Sequence, residues 1–156
     1  MRHFDERLFG QRLHVRFERA AAGAERGERG IEIGDDFFNY SHWGKRLEVG
    51  LGRRGWEHAT LKVGDKCTFH DNKIDLSREV DIGDNVGLSP EVTIYEHGYW
   101  QSPLEGFPCE YSSVYIGSGT IIGYRSTILP GSFIGEDVVV GAHSLVRGTL
   151  LHKCVY

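Results

Sequence analysis

The sequence predicts an all-β chain wound as a parallel β-helix, and three observations carry that prediction. From Ile116 onward an aliphatic residue returns every six positions, at Ile116, Ile122, Ile128, Ile134, Val140 and Val146. Glycine follows directly at Gly117, Gly123, Gly135 and Gly141. Thr120, Ser126, Ser132, Val138 and Ser144, all small or β-branched, each stand four places on from an aliphatic. A six-residue period fits neither an α-helix of about 3.6 residues per turn nor a plain strand alternation. It is the hexapeptide signature of stacked β-coils.

From the N-terminus, residues 1–30 read as an extension and 31–156 as the β-helix domain. Leu13, Val15 and Phe17 alternate with His14 and Arg16 in a strand-like pattern. Residues 20–30, rich in Ala, Gly, Arg and Glu, read as a connector. Ile33-Gly34-Asp35 looks like a first rung, and the stretch from there to Val63, with Val49-Gly50 inside it, reads as coils distorted by insertions. Val63-Gly64 and Phe69 rejoin the pattern, with Cys67 at the small interior position, and a one-residue offset separates them from Leu76. Leu76, Ile82, Leu88 and Ile94 then run in sixes, with Val80, Val86 and Val92 at the small positions. The interval from Ile94 to Ile116 is not a multiple of six and contains Pro103 and Pro108, so a loop is expected to leave the coil around residues 95–113.

Each hexad should give a short strand and a bend, and three should close a triangular coil of about eighteen residues. Coils stack at about 4.7–4.9 Å, the inter-strand spacing. Gly and Asp at the bends, as in Gly83-Asp84, permit unusual backbone angles. Residues 151–156 bring no capping element, so the open edge of the top coil is expected to be covered from outside them.

Composition narrows the class. A net charge of −4 gives no electrostatic case for nucleic acid. No apolar run approaches the roughly 18 residues of a membrane span, and Met1 leads into charge rather than a signal-like apolar stretch. Cys67, Cys109 and Cys154 are too widely spaced for a disulfide framework or a zinc pattern, so a reducing cytoplasm is the expected setting. His58, His70, His143 and His152 lack the close spacing of an interfacial histidine metal site, and no metal is expected. Asp75, Asp81 and Asp84 read as bend and surface residues.

The run Val114-Tyr115-Ile116-Gly117-Ser118-Gly119-Thr120-Ile121-Ile122-Gly123, continuing to Gly131, closely resembles the hexapeptide-repeat acetyltransferases of the left-handed β-helix type. So do Ile82-Gly83-Asp84-Asn85-Val86-Gly87-Leu88 and Phe133-Ile134-Gly135-Glu136-Asp137-Val138-Val139-Val140-Gly141-Ala142. Within that superfamily the sugar and surface-polysaccharide O-acetyltransferases are the most similar group. The left-handed winding comes from this resemblance, since the period does not dictate it.

The resemblance implies a homotrimer, acetyl-CoA as donor, a sugar or glycan acceptor and a site between neighbouring subunits. It puts a general-base histidine at His97, where the loop opens, with Glu96 beside it to orient the ring or meet substrate. Trp100 is the aromatic expected at the acceptor, while Tyr95, Tyr99, Phe107 and Tyr111 more simply pack the loop. Gly123, Tyr124, Arg125, Ala142 and Arg147 fall where the family binds CoA, with the basic residues and Lys153 suited to its phosphates or to a solvated coil corner. Ile121 stands where the family often has tryptophan, and a Gly-x-Pro element after the last coil is not found. The implied function is O-acetyl transfer to a sugar or glycan hydroxyl. N-acetylation of an amino sugar and a non-catalytic trimeric scaffold are the alternatives.

Overall fold

The structure, a computed structural model, describes residues 30–34, 38–40, 48–51, 59–98, 102–106 and 109–156. The expected strand within residues 1–29 and the candidates Tyr99, Trp100 and Phe107 lie outside the described residues.

The chain visits three parallel sheets in turn, which is how a triangular prism is wound. The first sheet stacks β1 (Gly30–Ile33), β4 (Thr60–Val63), β7 (Glu79–Ile82), β12 (Val114–Ile116), β15 (Phe133–Ile134) and β18 (Thr149–Leu150). The second stacks β2 (Phe38–Tyr40), β5 (Thr68–His70), β8 (Gly87–Leu88), β13 (Ile121–Ile122) and β16 (Val139–Val140). The third stacks β3 (Glu48–Leu51), β6 (Lys73–Leu76), β9 (Thr93–Ile94), β14 (Thr127–Ile128) and β17 (Leu145–Val146). A separate antiparallel pair, β10 (His97–Gly98) with β11 (Glu110–Tyr111), forms the base of the ejected loop. Among the described residues there is no α-helix; Pro103–Glu105 makes one 3-10 turn at the loop.

The hexad aliphatics form files down the inside of the prism. Val63, Ile82, Ile116 and Ile134 are successive register partners, and Leu150 closes that file. Phe69, Leu88, Ile122 and Val140 form the second, and Ile74, Ile94, Ile128 and Val146 the third. All but Leu150 are buried, and burying each side chain stabilises by about 1.5–3 kcal/mol.

The register departs from a strict six-residue count at two corners. Ile74, not Leu76, is the partner of Ile94, because the corner at Asp71-Asn72 is short and β6 runs two residues further. Asp71 takes a left-handed φ of 51° there, and the Asn72 side chain accepts the His70 amide at 2.7 Å. The last corner is also short, so Leu150 rather than a residue two places later faces Ile134.

The small interior positions have a polar task. Thr120 Oγ1 donates to the Gly135 carbonyl at 2.9 Å and accepts the Val138 amide at 3.2 Å. Ser126 does the same with Gly141 and Ser144. Cys67, at its small interior position, makes equivalent contacts with Gly83 and Val86, and burial pushes its thiol pKa up. Corner residues Asn85, Arg125, Asp137 and His143 all adopt φ between 54° and 59°, the left-handed region where glycine, Asn and Asp fit most easily.

Candidate active site at the loop exit

His97 stands where the third-sheet wall ends and the loop departs. Backbone parity explains its surroundings. Ile94 points inward and is fully buried, Tyr95 points out and is exposed, and Glu96 points inward again. His97 therefore emerges at the surface, with its side chain 30% exposed.

The imidazole is held by the coil below. Its Nδ1 pairs with Asp75 Oδ2, and Ser77 Oγ lies 3.3 Å from the same nitrogen. Ser77 Oγ also reaches Asp75 Oδ1 at 3.4 Å, closing a three-residue group. Tyr111 from β11 stacks on the His97 ring at 5.9 Å between centroids, and the Arg78 guanidinium lies 6.0 Å from the centre of the Tyr111 ring. A carboxylate on Nδ1 selects the tautomer protonated there and leaves Nε2 as the accepting nitrogen. That is the state a general base needs.

Glu96 does not meet the role expected of it. Its carboxyl is fully buried, so it presents no surface to a substrate, and the ring is oriented by Asp75 and Ser77 instead. Glu96 Oε2 accepts the Ser77 amide at 2.9 Å and the Arg78 amide at 2.8 Å. Oε1 has no hydrogen-bond partner. Burial pushes the Glu96 pKa up to about 8; the Arg78 and Ser77 amides oppose it, the nearby Asp75 charge adds to it, and the Val114 amide, more distant, opposes it weakly.

The residues expected to meet CoA divide between two corners. Gly123, Tyr124, Arg125 and Ala142 lie between the second and third sheets, at the far end of the third-sheet strands from His97. Arg125 is fixed there by Glu91 at 2.7 Å and lies 4.9 Å over the Tyr124 ring, which meets His143 edge-on at 5.4 Å. Arg147 is on the His97 side, between the third and first sheets, where it pairs with Glu110 of β11 at 3.5 Å. Gly123 also has a reason within the fold: a Cβ there would sit 2.5 Å from the Ala142 nitrogen of the next coil. Among the described residues no three His, Cys, Asp or Glu side chains are grouped to hold a metal ion.

Asp75, Ser77 and Tyr111 are the site residues that sequence reasoning missed. The signal for Asp75 was its outward parity between the buried Ile74 and Leu76, on the strand stacked directly under Ile94.

The chain matches no family model. It is 51% identical over 128 residues to the putative lipopolysaccharide biosynthesis O-acetyl transferase WbbJ of Escherichia coli, a match covering 73% of this chain and 65% of WbbJ. It is 33% identical over 111 residues to the putative acetyltransferase YvoF of Bacillus subtilis, covering 67% and 59%. The chain spans between 32% and 65% of the length of the curated relatives it matches. In fold it is similar to the hexapeptide-repeat-containing acetyltransferase VCA0836 of Vibrio cholerae, with a TM-score of 0.57, 18% identity and 80% and 66% of the two chains covered. AntD, an N-acyltransferase from Bacillus cereus solved with dTDP and Coenzyme A, gives a TM-score of 0.56 at 17% identity over 76% and 75%. In fold the chain is a parallel β-helix like that of these solved acyltransferase structures.

Proposed function

We propose that the protein is an acetyl-CoA-dependent O-acetyltransferase acting on a sugar or surface-glycan hydroxyl, with His97 as general base. The observation that carries this is the Asp75–His97 pair at the loop exit, partly buried, with the imidazole held through Nδ1. His97 Nε2 takes the acceptor hydroxyl's proton as that oxygen bonds to the thioester carbonyl carbon. The tetrahedral intermediate then breaks its C–S bond, and the imidazolium returns the proton to the departing CoA sulfur. A main-chain N–H in the groove would stabilise the oxyanion. The likeness to WbbJ supports a glycan acceptor, and the fold shared with a Coenzyme A complex of AntD supports the donor.

The working form is a cytoplasmic homotrimer. Within one prism His97 and the Tyr124 corner stand at opposite ends of the third sheet. A three-fold ring sets one chain's His97 corner against its neighbour's Tyr124 corner, which makes a complete site. No helix among the described residues is long and apolar enough to cross a membrane.

The test is release of free CoA thiol from acetyl-CoA over a panel of sugars, amino sugars and glycans, with mass spectrometry of the product. An O-acetyl ester, lost on mild base, is the expected product; a base-stable amide would instead mean N-acetylation. His97→Ala should lower kcat by roughly 10²–10⁴-fold. Near-normal turnover in that variant overturns His97 as the base.

A further inference from the structure

Along the prism wall, main-chain amides of one coil donate to carbonyls of the next. Thr60 N bonds Arg78 O at 3.0 Å, Thr68 N bonds Val86 O at 2.9 Å and Lys73 N bonds Val92 O at 3.1 Å. Continuing this ladder past Lys73 would set Ser77 N against Glu96 O. The next coil has already begun to leave, however, and Glu96 O accepts Ser112 N at 3.0 Å, closing the base of the ejected loop. The Glu96 side chain takes the vacated place. Its Oε2 accepts both the Ser77 and the Arg78 amides.

We propose that Glu96 is a positioning residue, a buried staple between the loop exit and the coil below that holds Asp75, Ser77 and His97 in one arrangement. This goes beyond the reading of His97 as the base and rests on it for its functional meaning. The staple has two ends. The main-chain carbonyl of Glu96 fixes the returning strand through Ser112, and its carboxyl fixes the corner through Ser77 and Arg78. Ser77 at that corner and Asp75 two residues before it on β6 are the partners of His97 Nδ1, and His97 is the next residue after Glu96.

The interior supports this reading. The Ile74–Ile94 and Ile94–Ile128 registers, carried two places on, put Leu76 on one side of Glu96 and Pro130 on the other, and both are buried. A carboxyl with no exposed surface, whose Oε1 makes no hydrogen bond of normal geometry and has only the Val114 amide nearby, is costly to charge. Glu96 therefore works as a neutral acceptor at pH 7, a state that Glu96→Gln reproduces in shape and in its carbonyl acceptor.

Two readouts need no acceptor sugar. The first is amide hydrogen exchange at Ser77 and Arg78. The second is the downfield proton resonance of the His97 Nδ1–H held by Asp75, assigned by its loss in His97→Ala. In Glu96→Leu both amides should exchange roughly tenfold faster or more, and the downfield resonance should broaden or vanish. Glu96→Gln should restore both. Glu96→Asp, one methylene short of bridging the two amides, gives an intermediate case if the Leu variant does not fold.

Intact amide protection and an unchanged resonance in Glu96→Leu or Glu96→Asp overturn the staple, even if the melting temperature falls. Loss of both in Glu96→Gln overturns the neutral-acceptor role. Failure of the base reading looks different: His97→Ala would keep its turnover while the Glu96 variants still lost amide protection and the resonance.

Discussion

Replacing Glu96 by Gln should change how stability depends on pH, in a direction fixed by the burial of the carboxyl. In the unfolded chain the group ionises at its ordinary value of 4.5, and in the folded chain only at about 8. As pH rises above 4.5 the unfolded chain gives up its proton first, so the folded state binds more protons and stability falls with pH. The fall continues to about pH 8 and then levels off. Each pH unit in that window costs about 1.4 kcal/mol, so wild type gives up at most about 4 kcal/mol between pH 4.5 and pH 7.5. The carboxyl has no exposed surface, so solvent screening takes little from that figure.

Glu96→Gln has no such proton to lose. The assay is urea unfolding by circular dichroism at pH 5, 6, 7 and 8, with protein concentration fixed because assembly adds to apparent stability. The two proteins should be close at pH 5, and the variant should become progressively more stable toward pH 8. Other titrating groups appear in both curves and cancel in the difference. Parallel curves from pH 5 to pH 8 would refute a buried, neutral Glu96.

Three further outcomes follow from the geometry. Asp75→Asn should lower kcat by roughly 10–10²-fold with little change in KM for acetyl-CoA, since it removes the charge that holds the His97 tautomer; steady-state kinetics checks this. Ile128→Ala, in a fully buried file, should cost about 2–5 kcal/mol in urea unfolding, and a loss under 1 kcal/mol would mean the file is not stacked as described. Gly123→Ala should destabilise the fold whether or not CoA is present, because its Cβ would meet the Ala142 nitrogen at 2.5 Å; a variant of normal melting temperature that loses only CoA binding would reverse that reading.

The fold was legible because its rule is local. From Ile116 to Val146 the aliphatics, glycines and small residues recur with one period, and each takes its expected interior or corner place. The rule failed at corners that drop or gain residues. Leu76 fits the six-residue count from Ile82, yet the short turn at Asp71-Asn72 puts Ile74 under Ile94. That same shift hid the site. Asp75 and His97 are 22 positions apart, more than one regular coil of about eighteen residues, so no motif window contains both. His97 itself was legible, because it sits where the period breaks. The inward parity of Glu96 was legible too, in the alternation Ile94-Tyr95-Glu96, but a residue beside a predicted loop was read for chemistry before it was read for burial.

The prism uses one device repeatedly, and Glu96 is its costly form. Where a corner amide lacks a main-chain acceptor, a side chain of another residue takes it. Asp84 accepts the Asp65 amide at 2.8 Å, Ser118 accepts the Asp84 amide at 3.0 Å, and His152 accepts the Glu136 amide at 2.8 Å. Those three donor amides belong to exposed corner residues, where water offers an alternative partner and the acceptor meets a small desolvation cost. At the loop exit the orphaned amides face the interior, where leaving two unpaired would cost about 1–3 kcal/mol each. An apolar residue at position 96 would pack better between Leu76 and Pro130 yet leave both amides empty. A charged carboxylate would satisfy them at a desolvation cost the site cannot offset. A carboxyl that keeps its proton to about pH 8 meets both conditions across the neutral range. The end of β6, with Asp75 on the strand and Ser77 at the corner, is thus tied to the residue before His97 by the same requirement that every buried amide find an acceptor.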